Sequence, residues 1–190
     1  MQITKTALEG VLIIDPKIYS DGRGHFYETY NYEKYKEFIG DINFIQDNES
    51  LSKKGVIRGL HYQKPPFTQS KLVRVINGSV LDVIVDIRTD SPNFGKYIII
   101  ELSSKNKLQV FIPRGFAHGF ISLEDNTIFN YKVDNFYDKD SECGIIYNDE
   151  FLNIDWKLDI KNITISEKDI MLQTFKNNEF YSKSEYLKNK

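Results

Sequence analysis

Cysteine and histidine are scarce in these 190 residues, and each shortage removes a class of protein. A single cysteine, Cys143, cannot close an internal disulfide, so the chain does not read as a stapled secreted scaffold and suits a reducing compartment. A small packed side chain is the plain reading of Cys143, ahead of a nucleophile. Only His25, His61 and His118 are available for histidine chemistry. There is no His-x-His, no cysteine pair and no His-Glu-x-x-His helix, so no metal is expected. A Gly-x-Ser-x-Gly elbow is missing, and Asp21-Gly22-Arg23-Gly24 reads as a tight turn rather than a phosphate loop. No apolar run approaches the length of a bilayer span, and the start Met1-Gln2-Ile3-Thr4-Lys5 lacks the apolar stretch of a signal peptide. No membrane association and a cytoplasmic location are therefore expected. Positive charge is not in excess either: 25 Lys and Arg against 27 Asp and Glu leave a net charge of -2, without the footprint of a general nucleic-acid binder.

What is present is an ordinary globular composition, 41% hydrophobic and 27% charged, in a chain long enough to bury one core. One domain spanning 1–190 is expected, with the lysine-rich stretch 176–190 as a solvated tail. β-Branched and aromatic runs alternate with Asp, Asn, Gly, Ser and Pro clusters, which predicts strands at 11–14, 26–30, 56–63, 72–76, 80–87, 97–102, 108–112, 119–123 and 127–133. So many short strands, with helical spacing only at 32–39 and after Ser166, define an all-β sandwich or barrel with short flanking helices. Antiparallel pairing is expected. In 80–87 the odd positions are apolar while Asp82 and Asp86 occupy even ones, so one face should look inward and the other be partly wet. Asn77-Gly78-Ser79 predicts a hairpin between the strands on either side. Ser166-Glu167-Lys168-Asp169 supplies a helix start.

Among the histidines, His61 has the most suggestive company. Arg58, Tyr62 and Gln63 share its strand, and Lys71 and Arg74 follow on the next, a gathering of polar groups that is costly in a core unless used. Arg58 and His61 are an odd number of residues apart, which puts them on opposite faces of a regular strand. Either a bulge at Gly59 brings both to one ligand, or Arg58 serves a partner subunit's site.

These motifs form an ordered set. Gly22-Arg23-Gly24-His25-Phe26-Tyr27-Glu28, Gln46-Asp47-Asn48, Gly55-Val56-Ile57-Arg58-Gly59-Leu60-His61-Tyr62-Gln63, Lys71-Leu72-Val73-Arg74-Val75, Val85-Asp86-Ile87-Arg88 and Pro113-Arg114-Gly115-Phe116-Ala117-His118-Gly119-Phe120 resemble the runs of the dTDP-4-dehydrorhamnose 3,5-epimerase family. The resemblance continues through Tyr131-Lys132, Phe136-Tyr137, Glu142, Asp155-Trp156 and Ser166-Glu167-Lys168-Asp169. It implies a cupin-like jelly roll, a homodimer, no metal or organic cofactor, and epimerisation at C3 and C5 of a dTDP-4-keto-6-deoxyhexose on the route to dTDP-rhamnose.

By the same resemblance His61 is the base, Tyr131 the acid, Asp169 the partner of His61, and Lys71 the cation facing the sugar oxygen. Arg23, Glu28, Gln46, Asp47, Asn48, Arg58, Lys71, His118, Glu142 and Lys168 would bind substrate, and Tyr137 would stack on thymine. Tyr131 and Tyr137 would lie about 20 Å apart if one unbroken strand carried both. Three readings stay open beside this one. The protein could epimerise only C3 or only C5, or act on a related dTDP-, CDP- or GDP-4-keto sugar; it could be a cupin-type 3,4-ketoisomerase or metal oxygenase; or it could bind a sugar nucleotide without catalysis.

Overall fold

The structure is a computed structural model that describes residues 1–158 and 163–188, and its thirteen strands all lie in the chain up to residue 144. Six of them form one sheet. Its spatial order is β1 (Gln2–Lys5), β2 (Leu12–Asp15), β10 (Gln109–Ile112), β7 (Lys71–Asn77), β12 (Thr127–Val133) and β5 (Gln46–Ser52). A second sheet orders β13 (Glu142–Gly144), β6 (Ile57–Gln63), β11 (Phe116–Ser122), β8 (Ser79–Asp86) and β9 (Tyr97–Ser103). A separate hairpin pairs β3 (Tyr19–Asp21) with β4 (Gly24–Phe26). Every strand pair is antiparallel, in agreement with the sequence pattern, and the two sheets make a cupin-like β-sandwich.

Apolar side chains fill three layers. Val73 and Val75 of β7, Val110 and Ile112 of β10 and Phe129 of β12 meet Val80 and Ile84 of β8 and Phe116 and Phe120 of β11 between the sheets. Outside the first sheet, Leu12, Ile14, Leu72 and Phe111 bury Tyr35 of α1 (Tyr32–Ile39). That helix lies where its spacing predicts, and its first turn is closed by Asn31, whose side chain accepts from the Lys34 amide at 3.3 Å.

The third layer corrects two expectations. Val83 and Val85 of β8, and Ile87 just past its end, point away from the barrel interior, yet they are covered by Ile145, Leu152, Trp156, Phe175 and Tyr186. The even face of β8 is not wet either, since Asp82 and Asp86 are fully buried. Asp86 pairs with Arg88 and Asp82 with His118, so the carboxylates meet partners in the interior rather than water. Nor is the described part of the expected tail, 176–188, solvated, and residues 189 and 190 of that stretch lie outside the described residues. Residues 183–186 form α3 (Lys183–Tyr186), Tyr186 is completely buried, and its carbonyl accepts from Thr68 Oγ1 at 2.6 Å. Aromatic residues at Phe175, Phe180, Tyr181 and Tyr186 outweigh the lysines and dock this stretch on the second sheet.

The turn at Asn77-Gly78-Ser79 is a further correction. It joins β7 and β8, but these strands lie in different sheets, so it is a corner and not a hairpin. Gly78 holds φ +77°, as the residue types foretell, but a Cβ there would sit 2.4 Å from Thr127 Oγ1, and the close approach of β12 turns the chain across the sandwich. Of the expected strand 26–30, only Phe26 belongs to a strand.

Candidate active site

The backbone of β6 is irregular at one place, and that irregularity builds the site. His118 of β11 faces His61, while Phe120 faces Arg58, so β6 uses one residue more than its neighbour over this stretch. Gly59 has φ +124°, a conformation that side chains other than hydrogen rarely adopt. The bulge leaves Ile57, Leu60 and Tyr62 in the outer core and turns both Arg58 and His61 into the barrel. Of the two alternatives open for the odd spacing, the kink at Gly59 is the one present.

The barrel interior holds a cavity of about 650 Å³ whose lining includes Asn48, Arg58, His61, Lys71, His118, Tyr131, Lys168 and Asp169. A smaller chamber of about 140 Å³ shares His61, Lys71 and Tyr131 and adds Gln63, Tyr137 and Glu142. His61 stands on the second sheet, Lys71 and Tyr131 on the first.

Two histidine–carboxylate pairs sit on this cavity. His61 Nε2 lies 2.8 Å from Asp169 Oδ1, brought in by α2 (Glu167–Ile170), whose start is capped by Ser166 as its sequence predicts. Burial pushes the Asp169 carboxyl up, but the His61 ring, the Gly59 amide and Lys168 together hold it below the usual range. An ionised carboxylate only accepts, so Nε2 of His61 carries a hydrogen toward Asp169, and Nδ1 is the nitrogen not held by it. His118 Nε2 lies 2.7 Å from Asp82 Oδ1, and burial lowers the pKa of this ring against the pull of Asp82.

Burial also acts on the two groups of the first sheet. Lys71 is drawn down to about 8 by loss of solvent, with the negative charges of Asp82 and Glu142 opposing the shift. The Tyr131 phenol is pushed up by burial, which keeps its proton on at neutral pH, although Arg58 works the other way. At the rim, Glu142 accepts from Tyr137 Oη at 2.6 Å and is paired with Lys168. These two contacts outweigh the upward push of burial and hold the Glu142 carboxyl low. Arg58 is steadied by Ser52 Oγ at 3.1 Å and by the Leu51 carbonyl.

Four expected site residues lie away from the cavity. Arg23 is almost fully exposed and pairs with Asp21 at 2.6 Å on the β3–β4 hairpin; Glu28 is held by Lys34 and Asn31. Asp47 points to the outer side of β5, where it meets Lys132 at 2.6 Å. Gln46 does not line the cavity, but its amide donates to Asn48 Oδ1 at 2.8 Å. Tyr137 stands in the loop beyond the end of β12 at Val133, so the 20 Å spacing expected of an unbroken strand does not apply. Conversely, Asp82 and the cavity walls Phe120 and Phe129 were not expected at the site. No group of three or more His, Cys, Asp or Glu side chains converges as a metal-ligand set among the described residues, and Cys143 is a half-buried thiol pushed up by burial.

Fold and cavity together define a cupin-like barrel enzyme with histidine and tyrosine on facing walls. The family model described as dTDP-4-dehydrorhamnose 3,5-epimerase matches residues 5–177, and the chain belongs to that family of isomerases. A dTDP-4-dehydrorhamnose 3,5-epimerase of Shigella flexneri is 47% identical over 182 residues, covering 95% of this chain and 99% of the relative. The crystal structure of a dTDP-6-deoxy-D-glucose-3,5-epimerase from Legionella pneumophila, in complex with dTDP-4-keto-L-rhamnose, superposes with a TM-score of 0.90. It is 44% identical and covers 100% of this chain and 98% of that one. A 3'-monoepimerase from Streptomyces bikiniensis in complex with dTDP keeps the fold, with a TM-score of 0.89 and coverage of 96% and 94%, at only 26% identity.

Proposed function

We propose that the protein epimerises dTDP-4-dehydro-6-deoxy-D-glucose at C3 and C5 to give dTDP-4-dehydro-L-rhamnose, a step of dTDP-rhamnose biosynthesis. The observation that carries this reading is the placement of His61 and Tyr131 on opposite sheets of one cavity. The 4-keto group acidifies the C–H bonds on both neighbouring carbons. His61 Nδ1 takes a proton from one face, leaving an enolate, and the Tyr131 phenol returns one from the other face, which inverts the carbon. Asp169 steadies the imidazolium that forms, as its 2.8 Å contact with Nε2 allows. Lys71 offsets the charge that builds on the sugar oxygen. Arg58, Asn48, His118 and Lys168 hold the nucleotide part, and Tyr137 stacks on the thymine.

The homodimer belongs to the same proposal. Arg23 and Glu28 sit far from their own cavity on a hairpin segment whose Tyr19 and Phe26 are exposed. We take this segment to complete the site of a partner subunit. A cytoplasmic setting fits the lone thiol and a nucleotide-sugar substrate, and no described helix is long and apolar enough to cross a membrane. The test is incubation with the 4-keto sugar nucleotide in deuterated water. Deuterium entering both C3 and C5, with inverted product, supports the reading; entry at one carbon selects a single-carbon epimerase, and no entry leaves a binding protein.

A further inference from the structure

Two histidine–carboxylate pairs, rather than one, face the cavity, and only the first has a place in the chemistry above. His118 and His61 are cross-strand partners on β11 and β6. Asp82 stands on β8, the other neighbour of β11, and is completely buried beneath the cavity floor. Its Oδ1 lies 2.7 Å from His118 Nε2, while its Oδ2 is buried without a hydrogen-bond partner among the described residues. A buried carboxylate with one bare oxygen is costly unless a neighbouring charge compensates it. Lys71 is the cation that feels it, since Asp82 is the strongest of the charges acting on that ammonium. Lys71 itself makes no ion pair among the described residues, so its charge is open to the cavity rather than consumed in a salt bridge.

We propose that Asp82 is a positioning residue of the active site, fixing His118 with its hydrogen on Nε2 and setting its own negative charge against the Lys71 side of the cavity. This rests on the epimerase reading for its effect on rate, but not for its effect on the two side chains. With a carboxylate oxygen of Asp82 accepting from Nε2 at 2.7 Å, one His118 tautomer is selected and Nδ1 is the open nitrogen. Its charge acts on Lys71 across the barrel without touching substrate. The other charged and titratable groups on the cavity around Lys71 and His118 include Arg58 and His61 on β6, Glu49 on β5, Tyr131 on β12, Lys168 and Asp169 on α2, and Glu142 on β13. Glu142 has Tyr137 and Lys168 as partners and His61 has Asp169, which leaves Asp82 as the carboxylate given over to the pair.

Two measurements test it. Nitrogen-15 NMR of the unaltered protein without substrate should find His118 protonated at Nε2 and bare at Nδ1 near neutral pH. The opposite tautomer overturns the proposal, and this needs neither a variant nor activity. In Asp82→Asn, which keeps the shape and removes the charge, the NMR titration of the Lys71 side chain should move down by roughly one pH unit. The alkaline limb of kcat/KM should move with it, with KM altered less than kcat. An unmoved Lys71 titration in the folded variant overturns the charge role even if the rate falls. Should the variant not fold, the tautomer in the unaltered protein decides. An inactive unaltered protein with the expected tautomer and titration would count against the epimerase reading and not against Asp82.

Discussion

A Cβ built on Gly59 would lie 2.4 Å from the Cα of Gly119, so the strands carrying His61 and His118 touch backbone to backbone beside the cavity. The reverse holds as well: a Cβ on Gly119 would meet the Arg58 carbonyl at 2.7 Å. This contact lets β6 take up an extra residue, and the extra residue turns Arg58 and His61 to the same side.

Gly59→Ala should therefore be expensive twice over, through its φ of +124° and through the collision with β11. A loss of about 3 kcal/mol in denaturant unfolding is expected, together with loss of activity as His61 rotates away. A variant as stable as its parent would remove the bulge from the account of the site.

His61→Ala should lower turnover by roughly a hundred- to ten-thousandfold, the usual worth of a general base, and stop deuterium exchange at carbon. Affinity for dTDP, read by calorimetry, should stay within a few-fold because Arg58 and Lys168 remain. Full exchange in this variant would dismiss His61 as the base.

Tyr131→Phe separates removal of the proton from its return. Exchange should persist, since the base is intact, while NMR of the product shows no inversion. Loss of exchange with the tyrosine absent would mean that the two roles are exchanged.

The pH dependence follows from Lys71. Burial lowers its pKa to about 8, so the ammonium is present below that value and is lost as pH rises through it. The kcat/KM of the free enzyme should accordingly fall above about pH 8, by up to tenfold per unit. Lys71→Arg, which stays charged throughout, should flatten this limb even where it slows the reaction.

Tyr186 reports on the end of the chain. Tyr186→Ala removes a completely buried ring under β8 and should cost about 3–5 kcal/mol, measured by the same unfolding experiment. A negligible change would restore the picture of a solvated terminus.

Much of this architecture is legible in the residues, and the gaps have physical causes. β-Branched runs and the helix at 32–39 announce themselves through period, and Ser166 through its capping chemistry. β5, by contrast, is Gln-Asp-Asn-Glu-Ser-Leu-Ser, an edge strand whose polar side chains serve the cavity mouth, so no apolar alternation reveals it. Asp82 stands out in the sequence as a charge within an apolar strand, but alternation alone assigns it to water; the His118 ring that holds it is 36 residues away. Likewise Gly78 predicts a sharp turn correctly but not its destination, because which sheet the next strand joins depends on distant pairing. His61 and Asp169 could be matched only through the family resemblance, since 108 residues of chain separate them.

The lateness of Asp169 has its own implication. Chains emerge and fold from their N-terminus, and His61 is made long before the helix that steadies it or the Phe175–Tyr186 layer that clamps the outside of its sheet. An unfinished or C-terminally clipped molecule thus carries a histidine whose tautomer nothing fixes. The Asp169 contact that orients His61 is thus among the last parts of the site to be made, 108 residues after the ring it holds.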